Sequence, residues 1–286
     1  MTIWNPSTLP YERFVKQQAK GISDIATLFE LLTYIRLAKT THEARFVEQL
    51  IKLLPDNAIQ DRYGNIIVTL GTTPAQQLFS CHTDMVSLNH TDHRQKLTIN
   101  DNGGYVYSAD NNQLGADDGA GIWLMLNMIA AEIPGCYIFH RDEEIGGLGS
   151  MHIKHYQPEL LDGIQQAIAF DRRDNYSIIT HMQCQQCCNP SFAKALAKAL
   201  GLAHSLDKTG GFTDVTHYIN FIPECTNISV GYLDEHTVYE QLDYIYLLNL
   251  RNKLLAVDWH ALSLASRDIL TSENRPFFLG WKRNKS

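Results

Sequence analysis

The chain lacks several features that would place it in other classes of protein. Its 286 residues contain no run of roughly 18 apolar residues, which a membrane-spanning helix needs. Its 24 Lys and Arg residues form no basic block, and the net charge of -7 argues against a nucleic-acid surface. The first residues, MTIWNPSTLPYERF, lack the basic and apolar regions of a secretory signal. We therefore expect a soluble, cytoplasmic protein that binds neither membranes nor nucleic acids.

Cysteine is also sparse. The six Cys residues are scattered through a large chain, which predicts reduced thiols rather than a disulfide framework. Cys184, Cys187 and Cys188 form a C-x-x-C-C cluster that can bind zinc. A structural zinc site needs four ligands, however, and no second cysteine pair lies nearby in sequence. The role of these three thiols stays open at this stage.

Helical and strand patterns alternate along the chain. Apolar residues at helical spacing predict helices at Ile22 to Leu37 and at Glu43 to Leu54. A short apolar run then predicts a buried strand that ends at His82. The polar segment Asn89 to Gly104 predicts an exposed excursion. Later helices are predicted at Ala120 to Ala131, Ser191 to Leu200 and Val238 to Val257, and later strands at Cys136 to His140, Ile164 to Phe170, Tyr176 to His181 and Thr226 to Val230.

This alternation predicts an α/β fold. Strands interleaved with helices form a mixed, mainly parallel sheet that is covered by helices on both faces. The expected architecture is therefore a three-layer α/β/α sandwich. No stretch rich in Pro, Gly or Ser divides the sequence, so we expect a single domain over residues 1–286.

Acidic and His residues gather at the predicted carboxyl ends of strands. Open α/β sheets bind their ligands outside these ends, because the strand ends and the following loops meet there. Five such positions carry groups that can bind a metal or move a proton. They are His82-Thr83-Asp84, Asp117-Asp118, Asp142-Glu143-Glu144, Asp171 and Asp234-Glu235-His236.

Each of these positions suits a part of a metal site. Residues two apart at a strand end point the same way, so Asp84 can orient the ring of His82. Asp117 lies in a loop between glycines, where a carboxylate can offer one oxygen to each of two cations. The side chains of Glu143 and Glu144 diverge, so one can hold a metal while the other takes a proton from water.

Asp171 and His236 would complete two metal sites that share Asp117. Each site would then have nitrogen and oxygen ligands and an open position for water, as catalytic zinc requires. A strand-end carboxylate taken singly is more often a cap, and a lone His is more often a structural residue. The joint order and placement of these residues favour a metal centre.

The motifs HTD, LGADDGAG, DEEIGGLGS, AFD and DEH occur here in the order of the co-catalytic zinc aminopeptidase and carboxypeptidase superfamily, which the chain resembles over residues 60 to 240. EEIGGLGS is similar to the signature of the lid-less bacterial aminopeptidases, and LGADDGAGI also resembles the tripeptide aminopeptidases. Lid-bearing relatives insert a domain before the final His, whereas His236 follows Asp171 by only 65 positions. The resemblance thus implies a lid-less protein, and the missing lid surface favours a monomer.

The resemblance also implies roles for individual residues. His82, Asp117 and Asp171 would hold one zinc ion, and Asp117, Glu144 and His236 would hold the other. Glu143 would be the general base. Asp84 falls on the family's aspartate behind the first His, and the Asp117-Asp118 bond falls where relatives often have a cis peptide. Co²⁺ or Mn²⁺ are alternatives to Zn²⁺ as the two divalent ions.

The implied function is a two-zinc aminopeptidase that cleaves peptides or related amides with a metal-activated water. The segment GGFTDVTHY is similar to the family's Gly-Ser-Asp-His stretch beside the pocket, but Phe212-Thr213 replaces the usual small residues. Phe212, His217 and Tyr232 are candidates for substrate contacts. The alternatives are a metal-dependent amidase, deacylase or glutaminyl-cyclase-like enzyme on the same scaffold, and a non-catalytic binding protein.

Overall fold

The computed structural model describes residues 1–8, 25–71, 75–86 and 92–262. The predicted start of the first helix at Ile22 and the start of the polar segment at Asn89 lie outside these ranges. None of the helices in the described ranges combines the length and the apolar character that crossing a bilayer requires. The expectation of one domain over the whole chain reaches beyond these ranges and stays a prediction.

Six α-helices and two 3₁₀ turns lie in the described part of the chain. Thr40 caps the second helix, since its side chain accepts a hydrogen bond from the backbone N–H of His42. The fifth helix begins with Pro190 and ends at Gly201, whose φ of 57° suits a helix C-terminus. The helices are α1 (Ile25–Leu32), α2 (Thr41–Ile51), α3 (Ala116–Ala130), α4 (Leu148–Tyr156), α5 (Pro190–Leu200) and α6 (Tyr244–Leu254), and the 3₁₀ turns are Pro158–Leu161 and Asp214–Tyr218.

Eight strands form the central sheet in the order β12-β9-β13-β8-β4-β7-β3-β2. The pairs at its centre, β13-β8, β8-β4 and β4-β7, are parallel, whereas β3 and β2 extend one edge antiparallel. The predicted mixed, mainly parallel sheet is therefore confirmed. Its strands are β2 (Ile59–Gln60), β3 (Ile66–Leu70), β4 (Gln77–His82), β7 (Gly135–His140), β8 (Gln166–Arg172), β9 (Ser177–Ile179), β12 (Ser205–Asp207) and β13 (Glu224–Ser229).

Both faces of this sheet are buried. Successive side chains of a strand point to opposite faces. On β4, Phe79 and Cys81 accordingly join the larger hydrophobic core, while Leu78 joins a second core. Helix α3 packs on β4 and β8 from one side, and the 3₁₀ turn Asp214–Tyr218 packs on them from the other. The strands β4, β7 and β13 are accordingly buried at every position, as expected of a sheet covered on both faces.

A second sheet was not predicted. It is antiparallel throughout, with five strands in the order β1-β5-β6-β15-β14. Its strands come from distant parts of the chain and are only two to four residues long. They are β1 (Thr2–Trp4), β5 (Leu97–Asn100), β6 (Tyr105–Ser108), β14 (Tyr232–Leu233) and β15 (Gln241–Asp243), and a small separate hairpin joins β10 (His181–Met182) to β11 (Gln185–Gln186).

The structure differs from the local predictions in several places. The segment up to Gly104 is not simply an exposed excursion, because Leu97 is buried within β5. The closing helix does not begin at Val238, since β15 occupies Gln241–Asp243 and α6 starts at Tyr244. Helix α4 was missed altogether. In the first case a hairpin with β6, and in the second pairing with the distant β6, overrides the local pattern.

Candidate metal centre

The parallel strands bring the predicted site residues to one edge of the central sheet. β4 ends at His82, which pairs in register with His140 on β7, just before the two glutamates Glu143 and Glu144. β8 lies on the other side of β4 and carries Asp171 near its end. These neighbouring strands therefore supply a His, two Glu and an Asp at the edge where open α/β sheets bind ligands.

The first part of the centre, which we call the buried half, surrounds His82. Its ring Nε2 lies 3.0 Å from Asp117 Oδ1 and 3.5 Å from Asp171 Oδ1. The side chain of His82 is only 1% exposed. Tyr232 adds a phenolic hydroxyl that donates to Asp171 Oδ1 at 3.2 Å. One imidazole and two carboxylates thus converge within the core.

The second part, which we call the open half, surrounds His236. Its Nε2 lies 3.0 Å from Asp117 Oδ2 and 3.0 Å from Glu144 Oε1. Unlike His82, this side chain is 46% exposed, and it stands in the loop after β14 with a φ of 62°. Hydrogen bonds to Asp117 and Glu144 raise the pKa of His236 to about 11.

Asp117 joins the two halves. One of its oxygens faces His82 and the other faces His236, each at 3.0 Å. Its backbone, with φ -81° and ψ 102°, departs from the helical conformation of α3, and the peptide bond to Asp118 is cis. The carboxylate is therefore positioned to touch two cations at once, with one oxygen for each.

Three groups of side chains have donor atoms that all lie within 4.8 Å of one another in the described residues. The groups are His82-Glu143-Glu144, His82-Asp118-Asp171 and Asp117-Glu144-His236. Asp118, which the sequence reasoning left unused, has oxygens that already accept from the backbone N–H groups of His82 and Gly121. Asp117 is therefore better placed than Asp118 to bind a cation beside His82.

The donor set fits divalent cations. Each half offers an imidazole nitrogen and carboxylate oxygens, the ligands that catalytic zinc takes. Burial and the charge of Asp117 together raise the pKa of Glu144 to about 7, against the opposing hydrogen bond from His236. So many buried carboxylates side by side need positive charge, which a metal ion supplies.

Asp84 contacts more groups than the sequence predicted. Its Oδ1 lies 3.4 Å from His82 Nδ1, as expected of a residue that orients this ring. Its two oxygens also accept from the backbone N–H groups of Glu143 and Glu144, both at 3.1 Å. Burial opposes ionisation, but these bonds and His82 hold the pKa of Asp84 below its usual value. Asp84 thus links the His82 ring to both glutamates.

Glu143 lines the same cavity as the candidate ligands. Burial raises its pKa well above the usual value; His82 opposes this shift, while Asp171 adds to it. A carboxylate with a raised pKa accepts a proton more readily near neutral pH, which suits a general base. Glu143 is therefore chemically suited to take a proton from a water between the two halves.

The cavity has polar, charged and apolar walls. Phe212 and Tyr232, two of the three candidate substrate contacts, line it. His217 is not among its lining residues; its Nδ1 lies 2.9 Å from Ser150 Oγ and its ring packs edge-on against Phe212. The remaining lining residues are Arg172, Arg173, Ile179, Met182, Gly210, Gly211, Asn227 and Glu235.

Helix α2 supplies a buried carboxylate that the sequence reasoning missed. Glu43 accepts from Thr83 Oγ1 at 2.7 Å and from Arg141 Nη2 at 2.7 Å. Thr83 lies between His82 and Asp84, and Arg141 precedes Glu143 by two residues, so Glu43 ties two strand ends together. On α2, Glu43 is an ordinary acidic residue of a first helical turn, and no local signal marks its burial.

The cysteine cluster does not join a metal-binding group. Cys187 and Cys188 are buried, and their thiols point to the carbonyl of Ile179. Cys184 is exposed. Within the described ranges no candidate metal group contains a cysteine. The thiols of Cys187 and Cys188 therefore pack in the core.

No family model matches the chain, and no curated protein matches it in sequence. Solved structures do resemble it. The aminopeptidase PepT from Bacillus cereus superposes with a TM-score of 0.64 at 17% identity, over 87% of this chain and 98% of that one. A tripeptidase from Staphylococcus aureus gives a TM-score of 0.63 at 18% identity, over 81% of this chain and 96% of that one.

The TET1 peptidase of Pyrococcus horikoshii gives a TM-score of 0.62 at 16% identity, over 82% of this chain and all of that one (100%). The chain therefore has the fold of these peptidases. Identities this low establish the fold alone. The Pyrococcus peptidase is described as assembling into a tetrahedron or a large octahedral shell, so the expectation of a monomer gains no support from these likenesses.

Proposed function

We propose that the protein is a two-metal exopeptidase of the aminopeptidase type, with zinc as its metal. The observation that carries this proposal is the position of Asp117, whose two oxygens each lie 3.0 Å from a different imidazole Nε2. A carboxylate shared in this way suits two ions held side by side. The likeness in fold to an aminopeptidase and a tripeptidase supports a peptide substrate.

The proposed ligands follow the two halves. His82, Asp117 and Asp171 would hold one ion, and Asp117, Glu144 and His236 would hold the other. Ions bound there would supply Lewis acidity towards the scissile carbonyl and lower the pKa of water from 15.7 towards about 7. Co²⁺ and Mn²⁺ offer the same chemistry, and metal analysis of purified protein decides among them.

The remaining steps belong to this chain's own residues. Glu143 takes the proton of the attacking water and passes it to the leaving amine, as a general base that becomes a general acid. Asp84 holds the backbone of Glu143 and so fixes where this carboxylate points. Phe212 and Tyr232 line the cavity in which the substrate lies.

An exopeptidase recognises a free chain end, and the cavity offers a group for it. The carboxylate of Glu235 lines the cavity next to His236 and is not in a candidate metal group of the described residues. Its partner is Arg173, whose Nη1 lies 3.1 Å from Glu235 Oε1. Because the pair is partly exposed, a substrate α-ammonium can replace Arg173 at low cost. Glu235 would thus receive the free amine.

The proposed function is tested with matched peptides. Metal-replete protein should hydrolyse a short peptide with a free N-terminus and leave its N-acetylated counterpart intact. Glu143→Gln should retain both ions and lose about 10²- to 10⁴-fold in kcat, the range of general acid–base catalysis. Equal cleavage of both peptides would favour an amidase or deacylase. Absence of bound metal under metal-replete conditions would remove the proposal.

The cell compartment is a further part of the proposal. All six cysteines are free, although Cys187 and Cys188 are adjacent and both buried. Free thiols in this number are typical of a reducing compartment. They support the cytoplasm as the place of action.

A further inference from the structure

Arg36 is a fully buried cation beneath the metal centre. It follows α1 and is 0% exposed. Its Nε donates to the carbonyl of Thr83 at 3.0 Å, and its Nη2 donates to the carbonyl of Gly115 at 2.8 Å. Thr83 separates His82 from Asp84, and Gly115 precedes Asp117 by two residues. Arg36 therefore holds the backbone of two segments that carry candidate ligands.

Glu240 is a fully buried carboxyl group that contacts the same segment, Gly115 to Asp117. It lies four residues after His236 and is 0% exposed. Its Oε2 accepts from the N–H of Gly115 and its Oε1 accepts from the N–H of Asp117, both at 2.9 Å. Two bonds from one carboxylate thus fix the backbone on both sides of Ala116.

The two side chains meet at Gly115. Its N–H is bound by Glu240 and its carbonyl by Arg36. The φ of Gly115 is +74°, and a Cβ there would lie 2.6 Å from Met85 Sδ, so only glycine fits without a shift. Arg36 and Glu240 are therefore built into a tight turn whose shape the sequence LGADD permits.

The turn at Gly115 needs hydrogen bonds from other segments of the chain to hold Asp117 in place. Asp117 has a non-helical backbone, so the regular hydrogen bonds of α3 do not determine where its carboxylate points. Its two oxygens must nevertheless reach two sites, and ligand groups have to be held within about 0.5 Å of the working geometry. The bonds to the backbone of Asp117 and Gly115 supply this restraint, because they come from side chains that are fully buried in a close-packed core.

We propose that Arg36 and Glu240 are positioning residues that together hold the Asp117 carboxylate between the two halves of the metal centre. The inference rests on the metal centre of the proposed function and not on peptide hydrolysis. According to this proposal, the metal affinity of both halves depends on Arg36 and Glu240, although neither residue is a candidate ligand. Neither residue is part of a metal-binding motif, and the fold alone brings both side chains to Gly115.

The experiment is a zinc titration of metal-free protein against a chromogenic chelator. Glu240→Gln replaces one of the two accepting oxygens by an amide donor that faces a backbone N–H. We expect zinc affinity to fall by about 10- to 100-fold, the range seen when partners of metal ligands are removed. The number of zinc ions bound at saturation and the circular dichroism spectrum of the metal-free variant check that the variant is folded.

Glu224→Gln is the matched control. Glu224 is also a fully buried glutamate, and it accepts from the backbone N–H of Asn189 at 2.7 Å, away from the metal centre. It should lose stability as Glu240→Gln does, while its zinc affinity stays within about threefold of the wild type. A role of Glu240 in stability alone would leave zinc affinity equal in the two variants, and that result would overturn the proposal.

Arg36→Lys is the second variant, for the case that Glu240→Gln does not fold. It keeps the buried charge but loses the planar fork that binds Thr83 and Gly115 together. Weakened zinc binding by folded Arg36→Lys supports the proposal, and wild-type affinity overturns it. A wild-type protein that binds two zinc ions but cleaves no peptide would refute the proposed function and leave this inference intact. A wild-type protein that binds no zinc would refute both.

Discussion

The two halves of the metal centre have the same kinds of donor in opposite surroundings. His82 is 1% exposed at the end of β4, between two parallel neighbours in the central sheet. His236 is 46% exposed, in a loop that leaves the second, antiparallel sheet. The register of three strands sets the position of the buried half. The position of the open half depends on a loop and on its contacts with Asp117 and Glu144.

This difference assigns separate tasks to the halves. A buried imidazole held by Asp84 has a fixed orientation and little contact with water, so an ion bound beside it would be released slowly. A half-exposed imidazole leaves room on the solvent side, where a substrate can approach its ion. The open half also lies next to Glu235, the proposed receiver of the free amine. We therefore expect the buried half to be structural in character and the open half to face the substrate.

The largest effect should come from the residue that both halves share. Asp117→Ala removes one ligand from each half and leaves His82 and His236 without their common carboxylate, so we expect loss of stoichiometric binding of both ions. Elemental analysis after metal loading and desalting measures this. Asp101→Ala, which alters an exposed carboxylate bonded to Thr2, is the control and should bind both ions. Retention of one tightly bound ion by Asp117→Ala would mean that the halves are independent.

Removing each imidazole separately tests whether the two halves contribute differently to stability. His82→Ala empties space in the core and should lower the free energy of unfolding of the metal-free protein by about 2 kcal/mol or more. His236→Ala alters a half-exposed side chain whose ion pairs with Asp117 and Glu144 are screened by solvent, so it should lower this free energy clearly less than His82→Ala does. Denaturant unfolding without metal measures both.

Each of these variants should also retain only the ion of the other half. Metal analysis in parallel with the unfolding experiment checks this. Equal losses of stability in His82→Ala and His236→Ala would contradict the distinction between a buried and an open half.

The sequence predicts the buried half better than the open one. His82 and Asp171 lie at the ends of strands of the central sheet, which are recognisable locally and whose parallel order brings their ends together. His236 follows β14, a strand of two residues that exists only because it pairs with β15. The segment after it was predicted to be helical from Val238, since nothing local reveals that Gln241 pairs with Tyr107.

The supporting residues could not be predicted for a related reason. Arg36 lies four residues after the end of α1 and Glu240 lies four residues after His236, and both residue types are mostly exposed in proteins. Their burial depends on contacts with Gly115, which is 79 positions after Arg36 and 125 before Glu240. Glu43 is a similar case, since its partners Thr83 and Arg141 lie directly after β4 and β7, far along the chain. Motifs reveal ligands, whereas the residues that hold ligands emerge from the tertiary structure.

The rate of metal removal gives a further test of the difference between the two halves. A chelator added to fully loaded protein should remove the ion of the open half first and that of the buried half more slowly, by a factor on the order of tenfold. Absorbance of a metal-binding dye follows the two phases. His236→Ala should show only the slow phase and His82→Ala only the fast one. Simultaneous release of both ions from the wild type would show that exposure of the imidazole does not govern release.

The smallest effect should be confined to the buried half. Tyr232→Phe removes the hydroxyl that donates to Asp171 Oδ1 at 3.2 Å and keeps the ring. A hydrogen bond contributes about 0.5 to 1.5 kcal/mol, so the slowly released ion should bind about threefold to tenfold more weakly. Zinc titration of the metal-free variant measures this.

Tyr246→Phe is the matched control for this last change, because its hydroxyl donates to the carbonyl of Ser229 at 2.9 Å, away from the candidate ligands. It should leave both zinc affinities unchanged. The ion of the open half should be unaffected in Tyr232→Phe as well, since Asp171 lies beside the imidazole of His82 and not beside that of His236. If Tyr232→Phe weakens both ions equally, the shared Asp117 transmits the change across the centre, and the two halves act as one cooperative site rather than as a buried and an open part.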